Sequence, residues 1–188
     1  FYISPGKDGR IHYEKHHQQG KACPVAVSVG HHPLLWLVAG RPINGPEYNF
    51  AGAIRGEPIK VIKEEVTGLP IPADSEIVFA GWCPPNKTKV EGPFGEWTGY
   101  YASKDRPAPV IEVERIYHRS NPIILGSPPS RPPSDSSYCF NIFSSAMIHN
   151  DLEWNGVPDV KGVWYSEAGG RTFVTVSIKQ RYPGHAKQ

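Results

Sequence analysis

Apolar and polar residues alternate most clearly late in the chain, in Arg171-Thr-Phe-Val-Thr-Val-Ser-Ile-Lys179, which predicts a half-buried strand. Ala108-Pro-Val-Ile-Glu-Val-Glu-Arg-Ile-Tyr117 alternates in the same way and predicts one continuous strand with an exposed face. Ile59-Lys-Val-Ile-Lys63 reads as an edge-like strand, residues 24–29 as a buried one, and Ser75-Glu-Ile-Val-Phe-Ala80 as a further strand. Val163-Trp-Tyr165 is expected to be a strand entered through the turn at Val157–Gly162, and Gly169-Gly170 a tight turn. Helical spacing is shorter-lived. A turn at residues 4–9 leads into a short solvated helix through residue 19, Leu34–Ala39 packs an apolar helical face, and Tyr138–His149 carries Phe140, Phe143 and Met147. The pattern predicts a mainly β chain with short helices, an α+β fold.

Glycine and proline number 19 and 20 among 188 residues, dispersed among valine- and isoleucine-rich runs, so they punctuate short strands and do not mark a disordered tail. Leu69-Pro-Ile-Pro-Ala73 is expected to be a rigid loop. Residues 121–136 hold five prolines and are expected to run as an extended strap. The formal charge of +2 gives no case for a nucleic-acid partner. Cys23, Cys83 and Cys139 are isolated, which implies no disulfide framework and favours a reducing, cytoplasmic location. No apolar run reaches the length of a membrane span.

Chemistry concentrates at Glu91-Gly-Pro-Phe-Gly-Glu96 and the following Trp97-Thr-Gly-Tyr-Tyr101. Glycine and proline dictate a bent path there, neither helix nor regular strand. A chain crossing a cleft at this point can aim Glu91 and Glu96 into one pocket, and paired carboxylates tend to share a proton, as acid–base work near neutral pH requires. The alternative is a surface hairpin with two solvated glutamates. His12 and His16 have the i,i+4 spacing of a metal-holding pair, but residue 13 is Tyr, not the Glu of a zincin pattern, and a solvated helix with incidental histidines is the default reading of the residues themselves. His31 and His32 are expected in turn or helix-cap roles. Glu47 precedes Tyr48 and Phe50, whose burial would anchor a helix with the carboxylate at its start, where the helix dipole favours it.

The loop Glu91–Tyr101 resembles the active-site loop of the UbiD family of reversible decarboxylases. Pro24–Gly30 followed by His31-His-Pro33, Glu47-Tyr-Asn-Phe-Ala-Gly-Ala-Ile-Arg-Gly56 and Leu69-Pro-Ile-Pro-Ala-Asp-Ser-Glu-Ile-Val78 follow in that family's order. The resemblance implies a split β-barrel like that of flavin reductases over residues 1–155, with residues 156–188 opening a C-terminal α/β domain or linker strand. It implies prenylated FMN as cofactor, a divalent metal (Mn²⁺ or Mg²⁺) and K⁺, with an aromatic or α,β-unsaturated carboxylic acid and CO₂ as reactants. It assigns Glu96 as proton donor or base, Glu91 as its partner, and Glu47 as ligand to a metal bridging the cofactor phosphate. Trp97 would shape the pocket and Lys187 would face a phosphate. The family's metal histidine falls near residues 1–10, where Lys7 and Asp8 stand, leaving His12 or His16 to serve.

Two family residues, an arginine between the carboxylates and an asparagine metal ligand, match nothing here; Arg10 and Arg55 lie outside the motif. Family members are longer on both sides, so the expectation is a fragment, or a chain completed by a homo-oligomer or a complementing polypeptide. Cys83-Pro-Pro-Asn-Lys and Ala102-Ser-Lys-Asp-Arg-Pro look most like members acting on phenolic or hydroxybenzoic acids. Two other classes stay open: a non-catalytic subunit, and a flavin oxidoreductase on a related barrel, which the absence of a Gly-rich dinucleotide fingerprint disfavours.

Overall fold

In the computed structural model, which describes residues 1, 3–43, 45–96, 99–101, 103–127, 131–168 and 172–188, the chain divides into two units. The first comprises Phe1–Pro93 and Ser103–Gly126, the second Phe94–Ala102 and Ser127–Gln188.

The first unit is built on a three-stranded antiparallel sheet ordered β1 (Cys23–Val29), β4 (Ile77–Cys83), β7 (Glu112–His118). Its centre is β4, whose Val78, Ala80 and Cys83 are buried, as expected of a short apolar run flanked on both edges. β1 lies along it in continuous register from Cys23↔Cys83 to Val29↔Ile77. On the other edge the register with β7 shifts between Ala80 and Gly81. A Cβ at Gly81 would stand 1.9 Å from the Glu112 carbonyl oxygen, so the bulge closes only around glycine.

Helix α1 (Asp8–Gln18) is not simply solvated. Tyr13 drops from it into a buried cluster with Cys23 and Cys83, packed by Phe1, Ile3 and Val25, and His17 Nε2 lies 2.9 Å from the Cys83 carbonyl. His32 caps α2 (Pro33–Ala39), its Nδ1 accepting from the Leu34 N–H at 3.2 Å, as its position before Pro33 predicts. α3 (Glu47–Arg55) packs beside α2 and buries Ala51 and Gly52.

Two expectations need correction here. Leu69–Ala73 is not an irregular loop: β3 (Pro70–Pro72) pairs with β2 (Val61–Lys63). Both prolines are accommodated because the flanking Glu64 N–H and Ala73 N–H carry ladder bonds to Leu69 and Lys60. Ala108–Tyr117 is not one strand either. It breaks at Val110 and Ile111 into β6 (Arg106–Pro109), which pairs with β5 (Thr88–Glu91), and β7, which pairs with β4. Alternation alone does not report a change of partner.

In the second unit, α4 (Asp135–Trp154) starts earlier and runs longer than periodicity predicts. Ser134 accepts from the Ser137 N–H while the Ser137 hydroxyl serves the Ser134 N–H, a reciprocal cap that ends the proline-rich strap before residue 136. The buried stripe of α4 is Ser137, Asn141, Ser144 and Ser145, while Phe140, Phe143 and Met147 are half-buried. These small residues let the helix approach β8 (Val160–Tyr165), where the Tyr165 N–H donates to Ser145 Oγ at 2.9 Å. β9 (Val174–Ile178) completes an antiparallel hairpin with β8. A 3₁₀ turn at His185–Lys187 follows, with His185 buried and stacked on Tyr182 at 4.7 Å.

The architecture is therefore α+β, with one three-stranded sheet and three two-stranded ladders among the described residues. A closed split barrel is not among these pairings. No helix among the described residues is long and apolar enough to cross a membrane.

Candidate active site

The two glutamates that open and close the Gly-Pro-Phe-Gly turn fall in different units. Glu91 is the last residue of β5, opposite Arg106 on β6. The pairing fixes its backbone, and its Oε1 lies 3.4 Å from the nitrogen of Phe1, which itself donates to the Pro109 carbonyl. Glu91 is thus placed by regular strand pairing, not by an irregular loop.

Glu96 is held by its backbone in a tight turn of the second unit. Gly95 and Tyr101 bridge across that turn, the Glu96 N–H donates to the Tyr100 carbonyl at 3.2 Å, and the Glu96 carbonyl accepts from the Gly99 N–H at 2.9 Å. Gly99 takes φ +91°, which a side chain would strain. The half-buried Glu96 carboxylate makes no hydrogen bond or ion pair with any described residue. A fixed backbone and an uncommitted carboxylate are what a proton-transferring residue needs. Trp97 lies outside the described residues.

Glu47 opens α3, exposed and without a hydrogen-bond or ion-pair partner among the described residues. Its oxygens are free to meet a hard cation, and the donor chemistry fits Mn²⁺ or Mg²⁺. His12 and His16 lie on α1 and line a cavity of about 380 Å³ with Tyr13, Cys23 and neighbouring apolar residues. His16 Nδ1 donates to the His12 carbonyl at 2.8 Å, which leaves its Nε2 for any ligand. Among the described residues no three His, Cys, Asp or Glu side chains converge to metal-binding distance, so Glu47 and the histidine pair are not brought together. Lys187 sits exposed in the terminal 3₁₀ turn.

The sequence reading passed over the most deeply set carboxylate, Glu64, which is 2% exposed. It accepts from the Val66 and Thr67 N–H groups, the Thr67 hydroxyl and the Tyr117 hydroxyl. Burial pushes its pKa up, but these donors outweigh burial and hold it at about 2. The short spacing Glu64-x-x-Thr67 is the available signal, since such a glutamate can fold back on its own turn. Its role is to organise that turn, with every acceptor site engaged.

Known proteins resemble this chain along nearly its whole length. The UbiD family model, described as 3-octaprenyl-4-hydroxybenzoate carboxy-lyase Rift-related domain, matches residues 1–132. A phenolic acid decarboxylase of Bacillus subtilis is 32% identical over 185 residues, 97% of this chain and 39% of the relative. The open form of Sedimentibacter hydroxybenzoicus vanillic acid decarboxylase superposes with a TM-score of 0.84 at 33% identity, covering 97% of this chain and 39% of that one. An evolved dimeric form of the UbiD-class enzyme HmfF from Pelotomaculum thermopropionicum, in complex with prFMN, gives a TM-score of 0.85 at 28% identity and covers 99% of this chain and 43% of that one. The chain spans about two fifths of the length of these relatives. With the domain model matching from residue 1 to residue 132, this chain belongs to the UbiD family.

Proposed function

We propose that this chain supplies part of the active site of a reversible, non-oxidative carboxy-lyase acting on an aromatic or α,β-unsaturated carboxylic acid, with prenylated FMN as cofactor. The observation that carries the proposal is Glu96: a carboxylate on a backbone-held turn, without a hydrogen-bond or ion-pair partner among the described residues, five residues after the strand-borne Glu91 in a chain of the UbiD family. When bound, prenylated FMN supplies the electron sink for carbon–carbon bond cleavage. Glu96 delivers the proton that replaces CO₂ on the substrate carbon, or removes it in the carboxylation direction. Glu91 tunes that exchange. Glu47 holds a divalent cation, for which its free carboxylate is suited, with His12 or His16 as nitrogen donor; Trp97 walls the substrate pocket and Lys187 faces a phosphate. Further ligands come from polypeptide beyond these residues, in a homo-oligomer or a complementing subunit, which also completes the split barrel. The names of the phenolic and vanillic acid decarboxylases it resembles point to a phenolic or hydroxybenzoic acid as substrate.

The test uses the native assembly with whatever polypeptides co-purify. Mass spectrometry should find a flavin heavier than FMN, and the assembly should release CO₂ from hydroxybenzoates. Glu96→Gln should lower kcat by about 10²-fold or more, the usual scale for losing a positioned acid–base group. CO₂ release by Glu96→Gln at the unaltered rate would overturn the assignment.

A further inference from the structure

Two of the three cysteines that stand far apart in the sequence are brought together by the fold. Cys23 opens β1, Cys83 ends β4, and the antiparallel register sets them directly opposite one another. Residues opposed in this way point to the same face of a sheet, with Cβ atoms about 4.5–5.5 Å apart. Their Cα separation, about 4.5–5.5 Å in either kind of antiparallel pair, falls inside the range that a disulfide spans. Both side chains enter the buried cluster around Tyr13, Cys23 at 5% exposure and Cys83 at 0%. Cys139, by contrast, stands exposed on α4.

The pair does not belong to a metal knuckle: among the described residues no third His, Cys, Asp or Glu side chain joins it at metal-binding distance. The Cys23 thiol donates to the neighbouring Pro24 carbonyl at 3.6 Å. Burial pushes both thiols up, so each keeps its proton at neutral pH, and the charge that Cys23 would carry raises Cys83 further. Cys23 lines the cavity of about 380 Å³ together with residues of α1, while Cys83 is sealed. A small oxidant therefore meets Cys23 first, and a bulky disulfide such as oxidised glutathione is kept from both sulfurs.

We propose that Cys23 and Cys83 form an oxidisable dithiol, a modification site whose reactant is a peroxide. The Cys23 sulfur, giving up its proton, attacks one peroxide oxygen; the O–O bond breaks, Cys23 becomes a sulfenic acid and one water leaves. The Cys83 sulfur then attacks the Cys23 sulfur. The S–O bond breaks, the S–S bond forms, and the Cys83 proton departs with the hydroxyl as a second water. The two sulfurs together lose two electrons, which hydrogen peroxide accepts. The bridge fastens the first residue of β1 to the last of β4 and closes a loop that contains α2, α3, β2 and β3. Cross-links over long loops stabilise chiefly by restricting the unfolded chain, so the dithiol is a reversible lock on the first unit. This inference does not depend on the decarboxylase reading.

The test uses the native assembly, reduced and then treated with hydrogen peroxide in the absence of denaturant. After alkylation of the remaining thiols and digestion, mass spectrometry should find one peptide pair joined through Cys23 and Cys83, which dithiothreitol separates. Oxidised glutathione at the same concentration should leave both cysteines alkylated. In a Cys139→Ser background, which prevents links between chains, the joined form should unfold at a midpoint higher by about 5 °C or more. Cys23→Ala and Cys83→Ala should each abolish that shift. The joined peptide is read in the unsubstituted chain, so the outcome does not require either variant to fold. Both thiols recovered alkylated after peroxide, Cys23 carried on to a sulfinic acid without joining, or either cysteine joined to Cys139 would overturn the pair. Joining by oxidised glutathione as fast as by peroxide would overturn access through the cavity, and joining without a rise in midpoint would overturn the lock.

Discussion

The Tyr117 hydroxyl donates to Glu64 Oε1 at 2.7 Å and so ties β7 to the turn that follows β2. Glu64 carries its charge in a buried place because four donors surround it, two of them backbone N–H groups of its own turn. Its folded-state pKa, about 2, lies below the unfolded value of 4.5. The stabilisation is therefore fully present above pH 4.5 and is lost as pH falls through about 2. Denaturant unfolding followed against pH should show stability declining through that window, and Glu64→Gln should flatten the decline. Tyr117→Phe should cost about 1–2 kcal/mol at neutral pH by withdrawing one donor from a buried charge. An unchanged acid limb in Glu64→Gln would mean that other carboxylates set it.

That turn also marks the limit of what the sequence discloses. The apolar runs at residues 24–29 and Ser75–Ala80 announced β1 and part of β4, but only β4, central in the sheet, buries its apolar residues; β1 lies at the edge and leaves Val27 exposed. His32 before Pro33 and Leu34 announced a helix cap, which depends on neighbours two residues apart. What escaped depends on distant partners. Nothing in the alternation of Ala108–Tyr117 says that its first part follows β5 and its second β4. Glu64 looks like any surface glutamate until Tyr117 is brought to it. Of the candidate site, Glu91, Glu96 and Glu47 were singled out by their likeness to the family motif, and their roles are proposals. Nothing in the pattern of the proline-rich strap foretells that the Arg131 stem packs where a Cβ on Gly99 would stand.

Gly81 is set by a different constraint, the approach of two backbones. An added Cβ would lie 1.9 Å from the Glu112 oxygen and 2.9 Å from Val113 Cα, atoms that move only if β7 moves. Gly81→Ala should therefore destabilise the first unit by about 3 kcal/mol, the upper range for overpacking. Gly162→Ala makes a useful control, since its Cβ position meets nothing within 4 Å. Chemical denaturation should separate the two variants clearly, and equal midpoints would contradict the close approach at the bulge.

Asp159 joins the two ends of the β8–β9 hairpin. Its carboxylate accepts from Lys161 at 2.9 Å and from Arg181, and its carbonyl accepts from the Lys179 N–H at 3.0 Å. The Arg181 hydrogen bond, followed by that from Lys161, holds its pKa below the ordinary value of 3.8. This contribution is present above that value and fades as pH falls below it. Its φ is +54°, a conformation that Asp and Asn tolerate better than most residues. Asp159→Asn should loosen the hairpin in a salt-sensitive way, because exposed pairs are screened. Asp159→Ala should loosen it further by adding backbone strain. Hydrogen exchange at the Lys179 amide reads both effects, and identical exchange in the two variants would remove the strain from the account.

Glu47 offers the cleanest separation of a structural role from a ligand role. At the start of α3 its charge meets the helix dipole, an interaction worth only about 0.3–1 kcal/mol at an exposed terminus. Glu47→Gln should therefore leave the denaturation midpoint nearly unchanged. If the carboxylate holds a divalent cation, the same substitution should reduce Mn²⁺ retention by the native assembly about ten-fold or more, read by electron paramagnetic resonance after desalting. His12→Ala and His16→Ala, assayed in the same way, identify which imidazole shares the ion, since only the one whose loss lowers retention belongs to the ligand set. Mn²⁺ retained in full by Glu47→Gln would leave Glu47 with the dipole role alone and place the metal outside this helix.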